Sequence, residues 1–169
     1  LQNIPEDQRK NFNPVYAAMI EAVDTSVGRV IAKVDELGLA EETLIIFSSD
    51  NGGLPALSQL APLRGQKGAF FEAGIRVPTC ARWTGVIEAG TTCKTPITSV
   101  DFLPTFAAIA GADLPASQPI DGVDISPLLH GKPIAERAIF WHYPLYLKAS
   151  ATSNDVLTVD LTNGGTYYW

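Results

Sequence analysis

Two oxygen-bearing side chains, Asp50 and Asn51, stand side by side directly after a short apolar run over residues 43–48. A carboxylate and an amide oxygen are hard donors, which suit Ca²⁺ or Mg²⁺ better than a thiophilic metal. The glycines that follow, Gly52 and Gly53, allow the backbone to turn sharply. The same four residues have ideal turn composition, so this segment alone leaves a metal ligand pair and a plain turn both open.

A lysine, Lys67, lies between two glycines in the segment 65–68. Its ammonium group can donate several hydrogen bonds to a sulfate or phosphate group while the glycines bring the backbone close. The segment is not a Walker A loop, because no Ser or Thr follows the lysine, and the alternative is a solvated basic loop. The neighbouring charges Arg64, Glu72 and Arg76 are spaced like ion pairs that fix a loop.

Two histidines and two cysteines are the remaining candidates for chemistry. His142 either donates a proton to a leaving alkoxide or packs among its aromatic neighbours. His130 has polar neighbours, and we expect it in a surface turn. Cys80 and Cys93 are too few for a disulfide scaffold, so we expect two free thiols, with a single bridge as the alternative.

The apolar pattern predicts a scaffold in which helices alternate with strands. Apolar residues at three- and four-residue steps predict a helix over residues 14–37, with Gly38 as its left-handed cap. The run 43–48 is apolar on both faces, which predicts a strand covered on both sides in an α/β protein, with Asp50 and Asn51 at its ligand-binding end. The other expected elements are a loop over 51–69, a strand over 75–83 that contains Pro78, a helix over 101–110 capped by Asp101, a helical turn near 126–129 and a strand over 138–143.

Composition limits the classes of partner. The chain has 169 residues, 46% apolar and 18% charged, a balance that predicts a globular protein with a core. The net charge of −6 argues against nucleic acid and against an anionic membrane surface as partners. No apolar run approaches the roughly 20 residues that span a bilayer. Residues 1–6 are polar, do not begin with Met and do not form a signal peptide, so we expect a fragment or a processed product.

A series of blocks, taken in order, resembles the formylglycine-dependent sulfatases of the alkaline phosphatase superfamily. These blocks lie at residues 16–24, 49–52, 63–68, 74–78, 101–105, 121–124 and 128–131. So many blocks in the family's order are more specific than any one of them. The resemblance therefore favours metal ligation over a plain turn for Asp50 and Asn51.

The resemblance implies roles for these residues. Asp50 and Asn51 would be two ligands of one Ca²⁺, and Lys67 would contact the sulfate group of the substrate. The other calcium ligands, a pair of adjacent aspartates, and the formylglycine nucleophile belong to an earlier part of such enzymes. No Cys or Ser of this chain begins a Cys/Ser-x-Pro-x-Arg motif, and no two aspartates are adjacent. We therefore expect residues 1–169 alone to be inactive.

The resemblance also implies the fold: part of an alkaline-phosphatase-like α/β/α sandwich that lacks the amino-terminal half of the sheet and the carboxy-terminal subdomain. Residues 1–169 would form a single partial domain, with 147–169 as an irregular tail that enters that subdomain. Ala73 stands where the family usually has Gly, and the chain ends before a Gly-Asp-Trp-Lys-like segment appears after His142.

The implied activity is hydrolysis of a sulfate ester, either a small aryl or alkyl sulfate or a sulfated glycan. Related phosphoesterases and phosphonate hydrolases often have His where Asn51 stands, and imidazole prefers Zn²⁺ or Mn²⁺. Such a hydrolase is one alternative. The other is a non-catalytic assembly module that self-associates or binds the missing amino-terminal segment. We expect the intact enzyme to be periplasmic or secreted.

Overall fold

The computed structural model describes residues 13–55 and 57–141. Within this part, the chain forms two compact units. The first takes in residues 13–39 and 46–80, and the second takes in 40–45 and 81–141. In the described residues, no helix is long and apolar enough to cross a membrane.

The first unit begins with helix α1, Pro14–Glu36, which confirms the helix predicted over 14–37. Asn13 caps it: the side-chain Oδ1 accepts from the backbone N–H of Val15 at 3.0 Å and of Tyr16 at 3.1 Å. Gly38 follows the helix with φ of 70°, as the left-handed cap requires. The helix boundaries were predictable because Pro14 at the start and Gly38 after the end act on the backbone locally.

Within residues 13–55 and 57–141, the sheet consists of two hydrogen-bonded neighbouring strands, β1 (Ile45–Ser48) and β2 (Thr79–Arg82). Between them lies a short helix α2, Glu72–Ile75, so the predicted strand over 75–83 is shorter than expected and begins only after Pro78. Proline has no N–H to donate to a ladder, which explains the late start. The side chains of Ser48 and Thr79 connect the strand ends, with 2.9 Å between their hydroxyl oxygens.

The second unit contains a 3₁₀ turn (Ser99–Asp101), helix α3 (Phe102–Ala110) and the short helix α4 (Ser126–Leu129). These elements confirm the predicted helix over 101–110 and the predicted turn near 126–129. The prediction that Asp101 caps this helix is wrong, because its side chain makes no capping hydrogen bond to α3. It is fully buried and accepts from the backbone N–H of Thr98 and of Val123.

Two further expectations about strands differ from the structure. β1 was expected to be covered on both sides, but its side chains are at most half-buried, and Phe47 is 41% exposed. The described part of the chain supplies only one neighbouring strand for it. Residues 138–141 of the predicted third strand form no strand, and Phe140 is 87% exposed. A strand needs a hydrogen-bonding neighbour, and the described sheet offers none there.

Candidate functional site

The predicted ligand pair lies where β1 ends. Asp50 is exposed, and from the described residues its Oδ1 accepts a single long contact, from Ser49 Oγ at 3.5 Å. Asn51 is half-buried, and its amide nitrogen donates to the carbonyl of Gly52 at 3.2 Å. This bond uses the nitrogen, so the amide oxygen keeps its lone pairs for another partner.

Two glycines hold the segment after β1 against α2. The Gly52 N–H donates to the carbonyl of Gly74 at 2.9 Å. A Cβ atom at Gly52 would lie 1.7 Å from the carbonyl oxygen of Ala73, and a Cβ at Gly74 would lie 2.0 Å from that of Ala69. Only glycine fits at either position, since real Cβ atoms do not come so close to a backbone oxygen. The turn composition after Asp50 therefore serves a close backbone approach.

The same approach brings Lys67 to the segment after β1. Its backbone N–H donates to the carbonyl of Gly53 at 3.0 Å. Gly65 and Gly68 flank it with φ of 89° and 87°, a left-handed conformation that L side chains rarely adopt. The Lys67 side chain is exposed, and no carboxylate in the described part of the chain pairs with its ammonium group. A fixed backbone and an unpaired cation suit an anion-binding role.

A cleft of about 230 Å³ has Ser49, Asn51 and Lys67 among its lining residues. The structure thus brings together one predicted metal ligand and the predicted sulfate contact. Asp50 precedes Asn51 but is not among the cleft's lining residues. The cleft is also lined by Tyr16 of α1 and by Leu54, Leu57 and Ser58, which the sequence did not mark for any role and which we call its second wall.

The donor types at the end of β1 fit calcium, but their number is small. Ca²⁺ takes about six to eight oxygen ligands, and the pair Asp50 and Asn51 offers a carboxylate and an amide oxygen. The described residues contain no group of three or more His, Cys, Asp and Glu side chains that could hold a metal. The pair therefore fits as part of a calcium site whose other ligands must come from elsewhere.

Three other described candidates, His130, Cys80 and Cys93, are not among the cleft's lining residues. His142 lies outside the described residues, so its predicted role stays a prediction. His130 is exposed, with its ring centroid 6.4 Å from that of Trp83. Cys80 and Cys93 are free thiols, as expected, but both are exposed, whereas the expectation rested on cysteines that are buried.

The charged residues around Lys67 stabilise its loop. Arg76 Nη1 lies 3.0 Å from Glu72 Oε2, one turn away on α2. Arg64 stacks its guanidinium 4.0 Å above the centre of the Phe71 ring, a cation–π contact. The predicted loop-fixing set is therefore present as one ion pair and one ring contact. Both flank the lysine without neutralising it.

Comparison with known proteins places these features in one family. The profile described as "Sulfatase" matches residues 2–112. The profile described as "N-sulphoglucosamine sulphohydrolase, C-terminal" matches residues 66–159. Together they cover both units.

Individual relatives support the same family assignment. Steryl-sulfatase of Mus musculus is 39% identical over 153 residues, which is 83% of this chain and 24% of that protein. The PsFucS1 sulfatase from Pseudoalteromonas sp. has a TM-score of 0.65 and 36% identity, with 73% of this chain and 26% of that one covered. A structure titled BT4656 in complex with its substrate D-glucosamine-2-N,6-O-disulfate has a TM-score of 0.56 and 27% identity, with 75% and 26% covered. The chain thus spans about a quarter of the length of the relatives it matches.

Proposed function

The chain belongs to the sulfatase family, and from this premise we propose that the whole protein hydrolyses sulfate esters and that this chain supplies part of the calcium site and a sulfate-binding lysine. The observation that carries the proposal is the cleft lined by both Asn51 and Lys67. A lysine with no carboxylate partner among the described residues lines the same cleft as a hard-oxygen donor at a strand's carboxyl end, and this combination suits a sulfate group.

Each residue has a defined task in this proposal. Asp50 and Asn51 would hold a calcium ion through their side-chain oxygen atoms. When bound, Ca²⁺ supplies positive charge to the sulfate oxygens. The ammonium group of Lys67 donates hydrogen bonds to those oxygens and stabilises the negative charge that the transition state spreads over them. The cleft at β1 would orient the ester so that its sulfate end faces Lys67 and lies near the end of β1, where Asp50 and Asn51 would hold calcium.

Residues 1–169 alone are proposed not to turn over a sulfate ester, because the sequence contains no motif for the formylglycine nucleophile. The chain by itself is proposed to bind calcium weakly and to bind sulfate. Sustained release of alcohol from an aryl sulfate by the purified chain alone would contradict this part of the proposal.

Two pairs of variants test the binding roles in the 169-residue chain. Asp50→Ala is compared with Asp113→Ala, an exposed aspartate of the second unit, by calorimetric titration with CaCl₂. Lys67→Ala is compared with Lys94→Ala, another exposed lysine, by NMR titration with inorganic sulfate in the presence of calcium. We expect Asp50→Ala to abolish measurable calcium binding and Lys67→Ala to weaken sulfate binding about tenfold, as for one lost charge-assisted hydrogen bond. If each variant binds as its control does, the proposed function fails.

A further inference from the structure

The second wall of the cleft is not used by the proposed function. It is lined by Tyr16 from the first turn of α1 and by Leu54, Leu57 and Ser58. Tyr16 and Ser58 are half-buried, whereas the two leucines are 49% and 41% exposed. Two hydroxyl groups and two apolar side chains thus face the same space as Asn51 and Lys67.

The backbone of both residues that carry these hydroxyl groups is held by hydrogen bonds. The N-cap of α1 accepts from the N–H of Tyr16, which holds the tyrosine at the helix start. The N–H of Ser58 donates to the carbonyl of Leu54 at 2.8 Å. A Cβ atom at Gly53 would lie 2.7 Å from Ser58 Oγ, so the glycine makes room for the serine hydroxyl.

The two hydroxyl oxygens lie 3.5 Å apart. Hydroxyl pairs usually bond at about 2.7–2.8 Å, so this contact is weak and leaves much of the donor and acceptor capacity of both groups unused. A ligand hydroxyl placed between Tyr16 and Ser58 would gain a bond to each and would lose little by separating them. The pair is therefore arranged to receive a polar group.

The volume and lining of the cleft limit what the ligand is. At about 230 Å³ it is smaller than the roughly 300–1,000 Å³ of sites that enclose drug-sized ligands. It suits one ring. Leu54 and Leu57 offer an apolar surface for the C–H face of such a ring, and the hydroxyl pair offers bonds to its edge. A sugar has both features, whereas an aryl group has no hydroxyl to bring to the pair.

We propose that Tyr16 and Ser58 are specificity residues that select a sugar unit as the alcohol half of the sulfate ester. This inference rests on the proposed function, because the sulfate end must sit at Lys67 for the alcohol end to reach the second wall. The ring hydroxyl accepts from one residue and donates to the other. Replacing either partner leaves the remaining hydroxyl without its bridge.

The experiment is an NMR titration of the 169-residue chain with calcium present, using three probes: N-acetylglucosamine 6-sulfate, phenyl sulfate and inorganic sulfate. The variants are Tyr16→Phe and Ser58→Ala, with Ser117→Ala, an exposed serine of the second unit, as the control. The loss of one neutral hydrogen bond predicts a dissociation constant for the sugar sulfate about three- to tenfold higher in each variant. Binding of phenyl sulfate and inorganic sulfate is expected to be unchanged.

Three results overturn the inference: a wild-type chain that binds phenyl sulfate as tightly as the sugar sulfate, variants that weaken all three probes equally, or variants that change the binding of none. Lys67→Ala separates this failure from failure of the proposed function. If Lys67→Ala weakens all three probes while Tyr16→Phe changes none, only the sugar selectivity is refuted. If Lys67→Ala has no effect on inorganic sulfate, the sulfate site itself is refuted.

Discussion

Replacing Asp101 with alanine removes one acceptor group from four donors in the second unit. The carboxylate accepts from the N–H of Thr98 at 2.8 Å, the N–H of Val123 at 3.0 Å and Arg137 Nη1 at 2.7 Å, and Arg137 Nη2 contacts its other oxygen. Asp101 is fully buried, whereas the Arg137 side chain is 19% exposed. Removing this acceptor leaves two backbone donors and one guanidinium without a partner.

The size of the effect follows from that geometry. Breaking a buried ion pair by removing one partner costs about 3–5 kcal/mol. Water can reach the guanidinium of Arg137, so leaving this group unpaired costs less than it would for a fully buried charge. The orphaned N–H groups of Thr98 and Val123 cost about 1–3 kcal/mol each. We therefore expect Asp101→Ala to lower the free energy of unfolding by about 3–5 kcal/mol. A typical domain has about 5–15 kcal/mol in total, so the loss is large.

The same network predicts a dependence on pH. Burial alone would raise the pKa of Asp101, but the hydrogen bonds from Arg137 and from the N–H groups of Thr98 and Val123 outweigh it and hold that pKa below the ordinary value of 3.8. A lowered pKa in the folded state contributes stability above the unfolded value, and this contribution is lost as pH falls through the folded value. The isosteric variant Asp101→Asn has no ionisable carboxyl group and therefore lacks this contribution to stability at every pH. The gap in unfolding free energy between wild type and Asp101→Asn should therefore shrink from pH 7 to below pH 3.8.

The assay is urea-induced unfolding followed by far-UV circular dichroism at both pH values. Asp113→Ala is the control, because it removes an exposed carboxylate from the same unit. If Asp101→Ala unfolds within about 0.5 kcal/mol of wild type, the range of ordinary surface substitutions, the carboxylate does not hold this unit together. If the Asp101→Asn gap is the same at both pH values, the lowered pKa is refuted.

Two glycine substitutions give opposite predictions. Gly52→Ala forces a Cβ atom to 1.7 Å from the Ala73 carbonyl, so we expect loss of sulfate binding at Lys67 and destabilisation of at least about 3 kcal/mol, the scale of severe overpacking. NMR spectra that keep the wild-type shifts around Lys67 would refute the close approach. Gly28→Ala lies inside α1 with nothing within 4 Å of the added methyl group, so it should raise stability by about 0.5–1 kcal/mol. A lower melting temperature for Gly28→Ala would count against the open surroundings of that residue.

The sequence by itself determined the elements that depend on neighbouring residues. The apolar period, the proline and the left-handed Gly38 define α1 within a few residues, and β-branched apolar residues define β1. The position of Asp50 and Asn51 at the end of a strand follows from the chain alone. Such features act over a few residues, so periodicity and capping chemistry reveal them.

Only the tertiary structure decided which distant segments share a site. Tyr16 and Ser58 are 42 residues apart yet line one cleft, and Asp101 and Arg137 are 36 apart yet form one buried pair. Neither pairing leaves a periodic mark in the sequence, because it depends on which surfaces pack together. The strand predicted to be covered on both sides is half-exposed for the same reason: apolar composition shows that a face must be covered but does not identify the element that covers it.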